Sequence, residues 1–104
     1  MEKVNIFTDF KIKNIHIKNR IVLPPMVRFS FVEDDGYVTE ALIEWYGMIA
    51  RSGVGLIIVE ASAVEESGKL RENQIGIWNV TLLFFFIIFF KLYSIILLLQ
   101  LLIK

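Results

Sequence analysis

The sequence predicts an α/β fold: a β-hairpin, a strand, an amphipathic helix and a second buried strand, followed by an apolar C-terminal helix-like tail. Three observations predict it. Apolar residues alternate with polar ones over 10–17, recur at helical spacing over 39–51, and run without interruption over 54–59. A strand–helix–strand order with apolar strands implies a βαβ unit around a parallel pair.

The hairpin lies in "FKIKNIHIKN", where Phe10, Ile12, Ile15 and Ile17 alternate around Lys13-Asn14. Asn tolerates positive φ, so a tight hairpin turn is expected at Lys13-Asn14. His16 falls on the polar phase of the second strand and reads as a solvent-facing residue. In "RIVLPPM" the apolar run ends at two prolines. Proline cannot donate to a ladder, so the strand should stop near Leu23 with a stiff exit. "VEDDGY" is a turn with Asp35-Gly36 at its tip.

In "TEALIEWYGMIAR", Thr39 to Arg51, the residues Leu42, Trp45, Tyr46 and Ile49 share one helix face. Thr39 is the expected N-cap, Glu40 and Arg51 complement the helix dipole, and Gly53 is placed to end the helix. "VGLIIVEASAV" then reads as one continuous strand, of the kind buried on both faces of a parallel sheet. Glu60 closes it, either as a solvated strand end or as a site residue. Two parallel strands with one helix leave apolar faces and both sheet edges uncovered, so this body is expected to be part of a larger one.

Composition excludes several function classes. Residues 1–79 hold nine Lys/Arg against eleven Asp/Glu, a formal balance of −2, and no basic surface for nucleic acid is expected. The absence of cysteine removes disulfides, thiolate metal sites and a Cys nucleophile, and a single His removes a His-rich metal site. The first residues, "MEKVNIFTDF", have no apolar core of the signal-peptide kind.

The composition changes abruptly near Asn79. Eighteen of the 23 residues in 81–103 are Phe, Ile or Leu. As a helix this stretch would be about 35 Å long, enough for a hydrocarbon core of ~30 Å. At about −0.3 to −0.6 kcal/mol each, these side chains outweigh a central Lys91 at roughly +3 kcal/mol. Trp78 would sit at the interface. One reading is therefore a single membrane span over 81–103. The other is an out-of-frame or misjoined stretch of A/T-rich coding sequence, since Phe, Ile, Leu, Lys, Asn and Tyr have A/T-rich codons.

The N-R-I-V-x-x-P-M block at Asn19–Met26, the Asp35-Gly36 turn, the helix carrying Tyr46 and Arg51, "GLIIVEASAV" and the closing "GIW" at Gly76–Trp78 occur in one order over residues 5–79. Together they resemble the N-terminal part of the Old Yellow Enzyme family, the FMN-dependent NAD(P)H:flavin oxidoreductases and ene-reductases. The resemblance implies the first two strand–helix units of a TIM (β/α)8 barrel preceded by a hairpin, with its site at the C-terminal strand ends. It implies a cytoplasmic protein that binds FMN and takes hydride from NAD(P)H.

It places flavin contacts at Pro24, Pro25, Met26, Val27 and Ala61, and a substrate-side position at Phe29. It gives no catalytic residue and no metal ligand among these 104 residues. Many relatives carry Thr or Cys at the position of Val27, and some a Tyr at that of Phe29; both polar groups are missing here. The substrate-anchoring His pair and the phosphate-gripping loops of the family come from later strands and have no counterpart in this sequence. The family pattern is expected to end at Val80, giving a 1–79 barrel part and an 80–104 apolar tail. The fragment reading predicts no tight FMN binding and no turnover by this chain alone. The alternatives are a small membrane-anchored interaction protein and a non-functional relic whose apolar faces stay exposed.

Overall fold

The structure is a computed structural model, and it describes residues 3–88 and 91. The elements run β1 (Phe10–Ile12), β2 (Ile15–Ile17), β3 (Val22–Leu23), α1 (Glu40–Arg51), β4 (Leu56–Ile57) and a second helix, α2, over 80–88. Short 3-10 turns occupy Phe29–Phe31 and Glu66–Gly68. The result is a small α/β body with two separate two-stranded sheets.

The hairpin forms where the alternation placed it. β1 and β2 pair antiparallel, with Phe10 opposite Ile17 and Ile12 opposite Ile15, so the four apolar residues share one face. The other face carries Lys11 opposite His16. The His16 Nε2 lies 2.6 Å from Asp9 Oδ2, and both side chains are exposed. That hydrogen bond and the adjacent imidazole charge hold the Asp9 carboxyl below its ordinary range. The turn forms at Lys13-Asn14 as expected, with the positive φ, 52°, on Lys13 and not on Asn14. Which of two turn residues goes left-handed depends on the turn type the two strands impose, and residue preference alone does not settle it.

β3 and β4 pair in parallel, Val22 with Leu56 and Leu23 with Ile57, and the ladder ends at Pro24. The long strand expected over 54–64 is therefore not formed. Only Leu56–Ile57 lie in the ladder, extended by the Ile58 amide bonding the Leu23 carbonyl at 3.1 Å. A strand reaches no further than the neighbour it bonds to, and β3 is cut short by its prolines. Ala63 later makes an isolated parallel bridge to Gly76. Nor is β4 buried on both faces: Leu56 and Ile57 are only half-buried, and Ile58 just beyond it is 44% exposed.

α1 forms as its spacing predicts. The Thr39 hydroxyl accepts the Leu42 amide at 3.2 Å and donates to the Phe31 carbonyl. A cap of this kind contributes about 1 kcal/mol. Gly53, with φ 100°, follows the last turn, its amide on the Ala50 carbonyl. Leu42 and Tyr46 are buried and join Val32, Val38 and Ile75 in the core, against which Leu23, Ile43, Trp45, Ile57 and Val59 pack. Ile43 thus joins the packed face, while Ile49 is half-buried outside this cluster.

The two turn motifs meet. The Gly76 amide donates to the Gly36 carbonyl at 2.8 Å, and the Trp78 ring lies where a Cβ on either glycine would sit. Lys69 Nζ lies 5.6 Å from the centroid of the same ring. Trp78, placed by the sequence at a membrane interface, packs instead within the body.

α2 starts on Asn79, whose Oδ1 accepts the Leu82 amide at 2.9 Å. Leu82 is buried and Phe86 packs against the core, whereas Leu83, Phe84 and Ile87 are exposed. Among the described residues no helix is long and apolar enough to cross a membrane. The span expected at 81–103 falls largely outside the described residues.

Asn19 ties the start of β3 to the turn that follows α1. Its Nδ2 donates to the Gly53 carbonyl at 2.7 Å, and its Oδ1 accepts the Ile21 amide at 3.0 Å. A Cβ on Gly55 would lie 2.6 Å from both the Asn19 carbonyl and its Oδ1. Gly55→Ala should therefore cost about 1–3 kcal/mol, as overpacking does. Gly68→Ala, where a Cβ meets nothing within 4 Å, should stay within about 0.5 kcal/mol of the parent. Denaturant unfolding of the two variants checks the contrast; equal midpoints would contradict this packing.

Candidate functional site at the ends of β3 and β4

Because β3 and β4 run parallel in register, their C-terminal ends open side by side. The residues singled out from the sequence emerge there: Pro24, Pro25, Met26 and Val27 after β3, and Ala61 after β4. Pro24, Pro25, Met26 and Ala61 are exposed, and Val27 and Phe29 are half-buried. Phe29 opens the 3-10 turn, with the Arg71 guanidinium 5.0 Å from its ring centroid. Arg28 lies over two rings, 5.2 Å from that of Phe31 and 4.9 Å from that of Trp45.

The two strand ends are joined by a side chain that the sequence left undecided. Glu60 is only 3% exposed, so the reading of a solvated strand end is overturned. Its Oε2 accepts the Arg28 amide at 3.0 Å, and its Oε1 accepts the Tyr46 hydroxyl at 3.1 Å. The Glu60 amide in turn donates to the Tyr46 oxygen at 2.9 Å. A buried carboxylate is tolerated only with its lone pairs satisfied, and here both oxygens have donors.

Gln74, also 3% exposed, supports the second strand end. Its Nε2 donates to the Ala61 carbonyl at 2.8 Å, and its Oε1 accepts the Leu70 amide at 2.7 Å. No motif or spacing pointed to Gln74, whose partners are set by loop packing. Tyr46 was legible as a core residue but not as a partner of Glu60, fourteen positions away.

The chemistry open to this ledge is limited and specific. The Met26 and Val27 amides have no acceptor among the described residues, Met26 and Ala61 are exposed, and the Arg28 amide joins this segment to Glu60, the residue before Ala61. Such a surface can seat the edge of a planar heteroaromatic ring and hydrogen-bond it through the backbone. The side chains of Val27 and Phe29 have no titratable group, so neither can serve as a general acid or base. No group of three or more candidate metal ligands occurs among the described residues.

Burial pushes the Tyr46 phenol well above its ordinary value of 10.0, and the Glu60 carboxylate adds to the shift; the Glu60 amide offsets part of it. A raised folded-state pKa stabilises the fold fully below the unfolded value. That contribution is lost as pH climbs from about 10 towards the folded-state value. Tyr46→Phe should flatten this alkaline loss while lowering stability near neutral pH. Unfolding midpoints measured from pH 7 to 11.5 check this; parallel curves for the two proteins would contradict it.

A sequence profile described as the NADH:flavin oxidoreductase / NADH oxidase family matches residues 5–83, running past Val80, where the resemblance was expected to end. Among curated proteins, NADPH dehydrogenases of Listeria welshimeri and Listeria monocytogenes are each 40% identical over 74 residues. The NADPH dehydrogenase of Bacillus cytotoxicus is 42% identical over 74 residues. These matches cover 71% of this chain and 21–22% of the relatives, so the chain spans about a fifth of their length. Among solved structures, a variant of NCR from Zymomonas mobilis superposes with TM-score 0.74 at 25% identity, over 88% of this chain and 29% of that one. With the motifs meeting in space as described, these matches show that the chain belongs to the NADH:flavin oxidoreductase / NADH oxidase family, the Old Yellow Enzyme family, and corresponds to its N-terminal part.

Proposed function

We propose that these residues form part of one wall of an FMN site in an NAD(P)H-dependent oxidoreductase that acts on activated C=C bonds. β3, α1, β4 and α2 are then the first two strand–helix units of a (β/α)8 barrel, with the hairpin across its bottom. The observation that carries the reading is the shared opening of β3 and β4, where the Met26 and Val27 amides have no acceptor among the described residues and Ala61 is exposed. Active sites of such barrels lie at this end of the strands. Pro24 and Pro25 hold the strand exit rigid, Met26 and Val27 offer backbone donors to the ring, and the small Ala61 lets it approach. Phe29 lines the substrate side without a hydroxyl. Bound FMN supplies the hydride chemistry, and the protein supplies seating and orientation.

The same reading limits what the 104 residues do alone. His16, the one histidine, lies on the hairpin beside Asp9, so no His pair is present to anchor a substrate carbonyl. In this reading the chain divides after Asn79: residues 1–79 carry the wall and 80–104 are an apolar segment of different composition. A cytoplasmic setting follows from the family reading.

The purified chain is expected to be colourless and to leave NADPH and NADH unoxidised. Stoichiometric FMN absorbance on the purified chain would contradict this. At millimolar FMN the amide resonances of Met26, Val27 and Ala61 should shift while those of the hairpin stay fixed. An FMN titration that leaves the three unmoved would remove the flavin reading.

A further inference from the structure

The flavin-facing segment has an anchor at each end. Upstream, Pro24 and Pro25 stiffen the exit from β3. Downstream, the Arg28 amide, one residue past Val27, is bound by the buried carboxylate of Glu60 at 3.0 Å. Glu60 cannot turn away from this bond freely. Its other oxygen and its own amide are both fastened to the hydroxyl of Tyr46 on α1. A second tie runs in parallel: the Arg28 guanidinium rests on Trp45, whose ring meets that of Tyr46 edge-on at 4.9 Å between centroids. Neighbouring residues of one helix therefore hold both the main chain and the side chain of Arg28.

We infer that Glu60 is a positioning residue: its carboxylate, oriented by Tyr46, fixes the Pro24–Val27 backbone so that the Met26 and Val27 amides face the flavin ring together with Ala61. Glu60 touches neither flavin nor substrate in this scheme. It acts through the Arg28 amide on one side and, as the residue preceding Ala61, through the chain on the other. This role rests on the flavin reading proposed above. The bond itself does not, and the two are separable by experiment.

Backbone hydrogen exchange in the full 104-residue chain, corrected for intrinsic rates, reads the bond directly. The Arg28 amide should exchange at least about tenfold more slowly than that of Val27, because a buried charged acceptor holds it. Glu60→Ala should abolish this difference. Glu60→Gln, which keeps a carbonyl oxygen at the same reach, should retain most of it. In Glu60→Ala the FMN-induced shifts of Met26 and Val27 should fall several-fold, and in Glu60→Gln they should largely return. If Glu60→Ala does not fold, Tyr46→Phe takes its place and should reduce Arg28 protection about threefold or more.

Arg28 exchanging as fast as Val27 in the parent overturns the inference. So does protection that survives loss of Glu60, or of Tyr46 where that variant replaces it, and so do FMN shifts that persist once protection is lost. Absence of FMN shifts in the parent with Arg28 protection intact removes the flavin reading, and the positioning role with it, while leaving the bond in place.

Discussion

A carboxylate removed from water must find donors or give up its charge, and that constraint on Glu60 organises the described part of this chain. Its donors come from two distant stretches, the hydroxyl of Tyr46 on α1 and the amide of Arg28 after β3. Once both are in place, helix, β4 end and the segment after β3 can no longer move independently. The parallel pair formed by β3 and β4 is two residues long and makes few bonds of its own. Burial of Leu42, Tyr46 and Ile75 supplies cohesion, and the Tyr46–Glu60 bonds supply register.

A second constraint acts through close contact and not through charge. Asp35-Gly36 and Gly76–Trp78 are far apart in sequence, yet the indole of Trp78 covers the α-carbons of both glycines while their backbones bond to each other. The turn after β3 is thereby fastened to the segment that leads into α2. Lys69 on the same indole, with its ammonium on the Asp34 carbonyl at 2.9 Å, closes the loop between them. The two loops leaving the C-terminal strand ends thus brace each other, as loops that carry a site on a rigid scaffold do.

α2 shows where composition and architecture conflict. Its inner residues suit the position: Asn79 caps it, Leu82 is buried and Phe86 packs on the core. Its outer residues do not, since the exposed face of a helix in water is ordinarily polar and this one presents Leu83, Phe84 and Ile87. An apolar surface of this kind favours association with other apolar matter. The family match to residue 83 agrees with the inner face, and the change of composition near Asn79 is felt on the outer one.

The sequence alone determined the features whose causes are local. Helix α1 follows from its 3.6-residue spacing and the Thr39 cap, the hairpin from two-residue alternation, and the end of β3 from prolines that cannot donate. The order of five short motifs was enough to indicate the family, and it was that resemblance that nominated Pro24–Val27 and Ala61. Tertiary structure decided whatever depended on a partner distant in sequence. It chose Lys13 for the left-handed turn position, shortened β4 to the length of its neighbour, and set Trp78 on two glycines. It also buried Glu60 between Tyr46 and Arg28 and placed Gln74 beneath Ala61. Periodicity reports which side of an element is apolar, but it carries no information about which distant donor a buried oxygen will meet. That pairing exists only once the chain has closed on itself.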